Sequence, residues 1–331
     1  MGDIVNLAIR KAANTSFFST FGEAVKVQPW RKGAGYLGGN GKVTEYFNWL
    51  GEMSGVKRWL DERQIRALQT MSHQATALRW EDTIGIEVNA LNEDGPLIKQ
   101  RIPVMAQKFA QHPNKVFFDF LKAGDGMQAA GGAKATYPYA GCFDTQTFFS
   151  NSHPVYSPDI GVGTTNDNIT TGTAVDTVAH IQADFDSAIQ GFYNLILRDG
   201  TPIFDDIPEP LIVYCAAEDI ALFRQAFLLP TYVATALPNP YYNRAIVIPA
   251  AHLNTDTAFS CNDYSSIYTQ ESWFVQIPGI EMPLFMYESS PIELVWDESD
   301  KFMKDKVYYG GKGMYNMVFA YWQTMQRVYN A

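Results

Sequence analysis

The sequence predicts a mixed helix–sheet fold, α+β or α/β, on three observations. Residues 175–197 place Val178, Ile181, Phe185, Ile189, Phe192 and Ile196 at helical spacing. Residues 211–215 and 245–249 are short apolar runs of strand length. Between 292 and 297, Ile292, Leu294 and Trp296 alternate with Glu293, Val295 and Asp297, the period of a half-buried strand.

The 331 residues fit about two domains. With 47% hydrophobic and 18% charged residues the chain can bury a sizeable core. Aromatics reach 14%, a load that suits large interfaces, because Tyr and Trp bury area and keep a polar handle. The charge is 25 basic against 35 acidic residues, a net of −10. That balance argues against wrapping nucleic acid in a basic groove. Cys142, Cys215 and Cys261 are odd in number and far apart, which excludes a disulfide framework or a CxxC metal site. No run of 18 apolar residues occurs, so no membrane-spanning helix is expected.

Along the chain, Ile4, Leu7, Ala8 and Ala12 form a helical stripe. Residues 29–41 (PWRKGAGYLGGNG) are too glycine-rich for regular structure, so residues 1–65 read as an extended arm anchored by Trp30, Tyr36, Tyr46, Phe47 and Trp49. A helix is expected over 54–72, on Val56, Trp59, Leu60, Ile65 and Leu68. The period then switches to two: Trp80, Ile84, Ile86 and Val88 face one way, Glu81, Thr83, Glu87 and Asn89 the other. This predicts a hairpin with strands near 73–78 and 82–90 and a tip at 78–81. Residues 102–122 read as a long helix with Pro103 at its first position and a kink at Pro113. Ala123-Gly124 ends it, and a Gly/Ala-rich loop follows to 141. A second helix is expected over 218–228, and strands over 306–309 and 314–323.

No catalytic constellation rises above background. The nearest approach to a phosphate-binding loop, Gly35 to Gly41-Lys42-Val43, has the wrong spacing and Val43 where a hydroxyl is needed. His73, His112, His153, His180 and His252 are scattered, without the close spacing of metal ligands. His153 sits in a turn sequence, Cys142 has Asp144 nearby but nothing to mark it as a nucleophile, and Asp205-Asp206 and Asp184/Asp186 read as solvated pairs. No catalytic, cofactor-binding or metal-binding residue is therefore nominated. The aromatic arm cannot bury its anchors by itself; arm and hairpin either pack on their own chain or are donated to a neighbouring copy.

Six blocks, in order, carry a resemblance. Residues 46–63 (YFNWLGEMSGVKRWLDER) have a Tyr, a Trp-Leu-Gly and a Trp-x-x-x-Arg in sequence. They are followed by 80–88 (WEDTIGIEV), 110–124 (AQHPNKVFFDFLKAG), 142–155 (CFDTQTFFSNSHPV), 199–213 and 295–323. Together they resemble the phage Mu-like major head subunit family, over about residues 40–325. Thr145, the long loop 125–141 and Lys312-Gly313-Met314 depart from the family pattern.

The resemblance implies an α+β fold of the Hong Kong 97 capsid type. Residues 1–65 would be its N-terminal arm and 66–95 its E-loop hairpin. Residues 96–135 and 272–331 would form a P-domain with a spine helix at about 102–123, and 136–271 an A-domain. It implies a non-enzymatic head protein that self-assembles into hexamers and pentamers of an icosahedral shell around double-stranded DNA. The shell would be built in the bacterial host cytoplasm, without cofactor or membrane, and with portal, scaffold and possibly decoration proteins as partners. Arg79, Trp80 and Glu81 would touch the next subunit from the E-loop tip, and Trp30, Tyr46 and Trp49 would anchor the arm. The rival readings are an encapsulin-like nanocompartment shell, a tail tube or other virion protein, and a soluble enzyme.

Overall fold

The computed structural model describes residues 2–50, 70–87, 95–124, 142–144, 146–155, 165–197, 200–232, 236–255, 258–261, 264–267, 271–279, 281–299 and 306–330. The helices are α1 (Gly2–Lys26), α2 (Trp30–Gly33), α3 (Gly95–Ala123), α4 (Val178–Tyr193) and α5 (Ile220–Phe227). The strands begin with β1 (Ala34–Gly38), β2 (Thr44–Leu50), β3 (Thr70–Thr76) and β4 (Leu78–Glu87). They continue with β5 (His153–Pro154), β6 (Thr165–Asn166), β7 (Ile169–Gly172), β8 (Leu211–Ala216) and β9 (Ala245–Ala250). The last are β10 (Ala258–Cys261), β11 (Tyr264–Ile267), β12 (Ser272–Gln276), β13 (Leu284–Asp297), β14 (Lys306–Phe319) and β15 (Met325–Asn330). Helices are interspersed with strands, and antiparallel pairs occur in both large sheets, the mixed α+β arrangement.

The chain divides into two compact units. The first comprises Met1–Glu45, Ala75–Phe117 and Met286–Met317. Its sheet has the order β1-β13-β14-β4. Ile292, Leu294 and Trp296 on β13, Ile84 and Ile86 on β4 and Tyr309 on β14 meet Phe17 of α1 and Met105, Ala106 and Phe109 of α3. Here the sequence reading needs correction. Ala13, Phe17 and Phe21 recur every fourth residue and all join this core, so the helix runs on to Lys26, well past the stripe that ends at Ala12. Nor are residues 29–41 irregular throughout: Trp30–Gly33 are a helical turn, and only Pro29 and residues 39–41 lie outside helix and strand. Ala34–Gly38 form edge strand β1, whose glycines are tolerated because neighbouring β13 supplies the order.

The helix α3 starts at Gly95, which puts Pro103 inside it rather than at its first position, and it runs through Pro113 as well. Burial of Ile102, Met105, Ala106, Phe109 and Ala110 along one stripe holds the helix across Pro103. Ala123 ends it, as expected, and Gly124 follows with a backbone N–H to the Leu121 carbonyl. The two strands expected at the C-terminus are one, since β14 passes unbroken through Gly310, Gly311 and Gly313. A Cβ at Gly311 would stand 2.8 Å from Phe109, and one at Gly310 2.5 Å from the Thr83 hydroxyl, so the glycines let a helix and a strand approach.

The second unit comprises Tyr46–Gln74, Phe118–Phe285 and Val318–Ala331. Its sheet has the order β7-β15-β12-β8-β9, with β7 and β15 parallel, β8 and β9 parallel, and β12 antiparallel to both its neighbours. Every residue of β8 and of β12 is buried, because both faces are covered. On one face Phe223 of α5 meets Trp273 edge-on at 5.2 Å. On the other, Phe118 and Phe149 pack on Tyr214 and Phe274, which are directly paired and so share that face. Thr177 caps α4 by accepting the His180 N–H, and the helix stops at Tyr193, a turn before the expected end. Gly200, at φ +79°, supports the turn that was read there. The expected strands 211–215 and 245–249 are β8 and β9, and the helix expected over 218–228 is α5.

The expected helix over 54–72 falls largely outside the described residues, but 70–72 belong to β3. The expected hairpin is also corrected. β3 pairs with β2, and β4 pairs with β14, so the two do not form a hairpin with each other. Residues 88–94 and 125–141 lie outside the described residues.

Candidate functional site

β4 is the element that sequence reasoning singled out, and its register fixes where its side chains go. It runs antiparallel to β14 from Leu78 opposite Tyr315 to Glu87 opposite Lys306. Arg79, Trp80 and Glu81 therefore lie within a paired strand, opposite Met314, Gly313 and Lys312, and not at a hairpin tip. The alternation predicts the strand, whereas the expected tip at 78–81 is the start of its pairing with β14.

Trp80 turns toward its own unit. Its indole N–H donates to the Tyr315 carbonyl at 2.9 Å, and its ring centroid lies 4.3 Å from that of His112 on α3. His112 Nδ1 is 2.9 Å from the Tyr315 hydroxyl, so three side chains from α3, β4 and β14 close one polar knot. Burial raises the Tyr315 hydroxyl pKa well above the usual tyrosine value, keeping it a neutral donor or acceptor. Trp30 is also inward, 3% exposed, with its backbone N–H on the Asn114 side-chain oxygen at 3.0 Å.

Three of the nominated residues stay at the surface: Arg79, Glu81 and Tyr46, the last 68% exposed. Trp49 lies in β2, and its side chain is outside the described residues. On the outer face of the sheet Glu81 is opposite Lys312, whose Nζ is 3.6 Å from Glu293 on β13, and Glu87 is opposite Lys306. Opposed charges at directly facing positions favour this register by a few tenths of a kcal/mol each. Sequence reasoning missed this ladder because the partner strand was read as two pieces.

The second unit holds the titratable groups the sequence raised. His153 is fully buried at the start of β5. Its Nδ1 is 2.6 Å from Asp144 Oδ2, its Nε2 3.3 Å from the Phe148 carbonyl, and its ring stacks on Trp322 at 3.8 Å and 2°. Both nitrogens and one ring face are thus engaged within the fold, the mark of a core brace. Burial, with the Asp144 charge beside it, pushes the Cys142 thiol well above its ordinary pKa, and burial pushes Cys215 up to about 12. Neither thiol carries appreciable thiolate near neutral pH.

Glu218, Asp219 and Glu271 rim a small cavity with Val175, Phe223 and Trp273. Its volume is about 10 Å³, room for about one water and not for a substrate. Glu218 is committed to the Thr255 N–H and hydroxyl. Among the described residues no group of three or more His, Cys, Asp or Glu is arranged to hold a metal ion, and no helix is long and apolar enough to cross a membrane.

The family model for the Mu-like prophage major head subunit gpT matches residues 7–192. The major capsid protein of Escherichia phage Mu is 28% identical over 199 residues, covering 58% of this chain and 56% of that protein. The matched stretch thus spans about half the length of that relative. Among solved structures, the capsid of the cyanophage P-SCSP1u aligns at a TM-score of 0.57 and 10% identity, covering 92% of this chain and 88% of that one. The decorated capsid of bacteriophage JBD30 aligns at 0.51 and 18% identity, covering 68% and 91%.

Proposed function

Since this chain belongs to the Mu-like prophage major head subunit family and has a Hong Kong 97-type capsid fold, we propose that it is the major head subunit of a tailed bacteriophage or prophage. The observation that carries the reading is the family match over residues 7–192. The matched stretch contains β4 and α3, most of α1 and nearly all of α4. The copies would assemble into hexamers and pentamers of an icosahedral shell enclosing double-stranded DNA. The role is structural. It fits a surface of strand edges and charged faces, and His and Cys side chains spent on packing.

In this reading residues 1–65 serve as the arm, 66–95 as the E-loop, 96–135 and 272–331 as the P-domain and 136–271 as the A-domain. The long helix α3 supports the spine assignment. Arg79, Glu81 and Tyr46 are the exposed members of the set that would meet neighbouring subunits. Portal, scaffold and decoration proteins would be partners in the shell, with assembly in the bacterial host cytoplasm. The net charge of −10 suits a container whose wall does not grip its genome.

Sedimentation velocity of the purified chain tests the proposal. Assemblies of megadalton mass built from the 37.1 kDa chain are expected, alone or with a co-expressed scaffold. A species that stays monomeric or dimeric under every such condition would contradict it.

A further inference from the structure

We propose that the outer edge of β4 pairs with the same edge of a second copy, antiparallel and centred on Thr83. This would join two four-stranded sheets into one across a two-fold axis. The proposal rests on the head-subunit reading, because it names one contact through which copies associate. Among the described residues β4 has one strand neighbour, β14. Its other edge presents a row of backbone N–H and C=O groups ten residues long, a ready template for another strand.

The side chains select both the occupant and the register. Arg79, Glu81, Thr83, Gly85 and Glu87 lie on the exposed face, and Trp80, Asp82, Ile84 and Ile86 on the other. Directly opposed residues in an antiparallel pair share a face, so both faces continue across the axis only when the axis passes through a residue. Centred on Asp82, that carboxylate meets its own copy. Centred on Ile84, Glu81 meets Glu87 twice. Centred on Glu81, that residue meets itself. Axes at Trp80 or Gly85 pair only 78–82 or 83–87.

An axis at Thr83 pairs residues 79–87 in full. Arg79 then faces Glu87 at both ends, Glu81 faces Gly85, where there is no side chain to repel it, and Trp80 faces Ile86. Asp82 facing Ile84 is the one unmatched pair. The strand is therefore complementary in charge to a second copy of itself, and the other long registers place like charges together.

Thr83→Cys in the full chain tests this. Directly opposed residues have Cα atoms about 4.5–5.5 Å apart, within disulfide reach. Mild oxidation of the assembled protein should give a reducible covalent dimer on a non-reducing gel, above the background of the parent chain. Glu81→Cys, on the same face, would sit about 13 Å from its mate and should not cross-link. Arg79→Glu should raise the concentration needed for assembly about tenfold, and Arg79→Glu with Glu87→Arg should restore it. Shells that form without a Thr83→Cys dimer, or in which Glu81→Cys cross-links instead, would overturn the register while leaving the head reading intact. A chain that neither assembles nor cross-links would sink both.

Discussion

The indole of Trp80 on β4 lies 4.3 Å from the imidazole of His112 on α3, and its N–H is spent on the Tyr315 carbonyl of β14. A residue that sequence pattern placed at an exposed tip thus ties a helix to two strands of its own unit. Replacing Trp80 with Phe should cost about 1–2 kcal/mol from the lost hydrogen bond and its unpaired carbonyl, and Trp80→Ala about 3 kcal/mol. Urea denaturation of the unassembled subunit would read both. Equal stability of all three chains would remove the knot from the account.

Asp144 and His153 form a pair sealed beneath Trp322. Asp144→Ala leaves a buried imidazole without its carboxylate and should destabilise by about 2–3 kcal/mol. His153→Ala removes the stack as well and should cost at least as much. Were the pair catalytic rather than structural, either variant would keep the parent's melting temperature.

Gly310 has no room for a methyl group, since its Cβ would fall 2.9 Å from the Asp82 carbonyl. Gly310→Ala should destabilise by about 1–3 kcal/mol through separation of β14 from β4. Gly41→Ala, where nothing lies within 4 Å but φ is +84°, should cost about 1–2 kcal/mol from backbone strain alone. Hydrogen exchange distinguishes the two: faster exchange along β4 is expected for the first and not for the second.

Asp219 has its pKa raised to about 6, first by burial and then by the charges of Glu271 and Glu218. A carboxyl whose folded pKa exceeds its unfolded value favours the fold fully below about pH 3.8, and that contribution disappears as pH rises to about 6. Asp219→Asn keeps the shape without the charge. Its melting temperature relative to the parent should therefore be higher at pH 7 than at pH 4. No change in that difference between the two pH values would show that Asp219 does not titrate with folding.

How far the fold was legible follows from these residues. Runs with a strict period were read correctly: β8 and β9 from apolar runs, α4 from Val178, Ile181 and Phe185, and the alternation on β4 and β13. What failed was pairing and continuity. Glycine at 310, 311 and 313 argued against a strand, yet the approach of Phe109 and Thr83 requires glycine there. The helix α1 was cut short because Ala13, Phe17 and Phe21 reveal their stripe only against a core built from residues some 90 and 280 positions away, such as Phe109 and Leu294. The hairpin misreading has the same origin: adjacent strands were taken to pair, whereas β4 finds β14 across more than two hundred residues. Bulk singles out Trp30, Tyr46 and Trp49 in the sequence, and the expected tip singles out Arg79, Trp80 and Glu81. Trp30 and Trp80 proved to serve their own unit, whereas Arg79 and Glu81 on the same stretch face solvent.

Negative-stain electron microscopy of the expressed chain, with and without a co-expressed scaffold, tests the central claim most directly. Closed shells of uniform diameter, built from rings of five and six subunits, are the predicted result. Tubes, stacked rings or only small particles of one or two chains would contradict it.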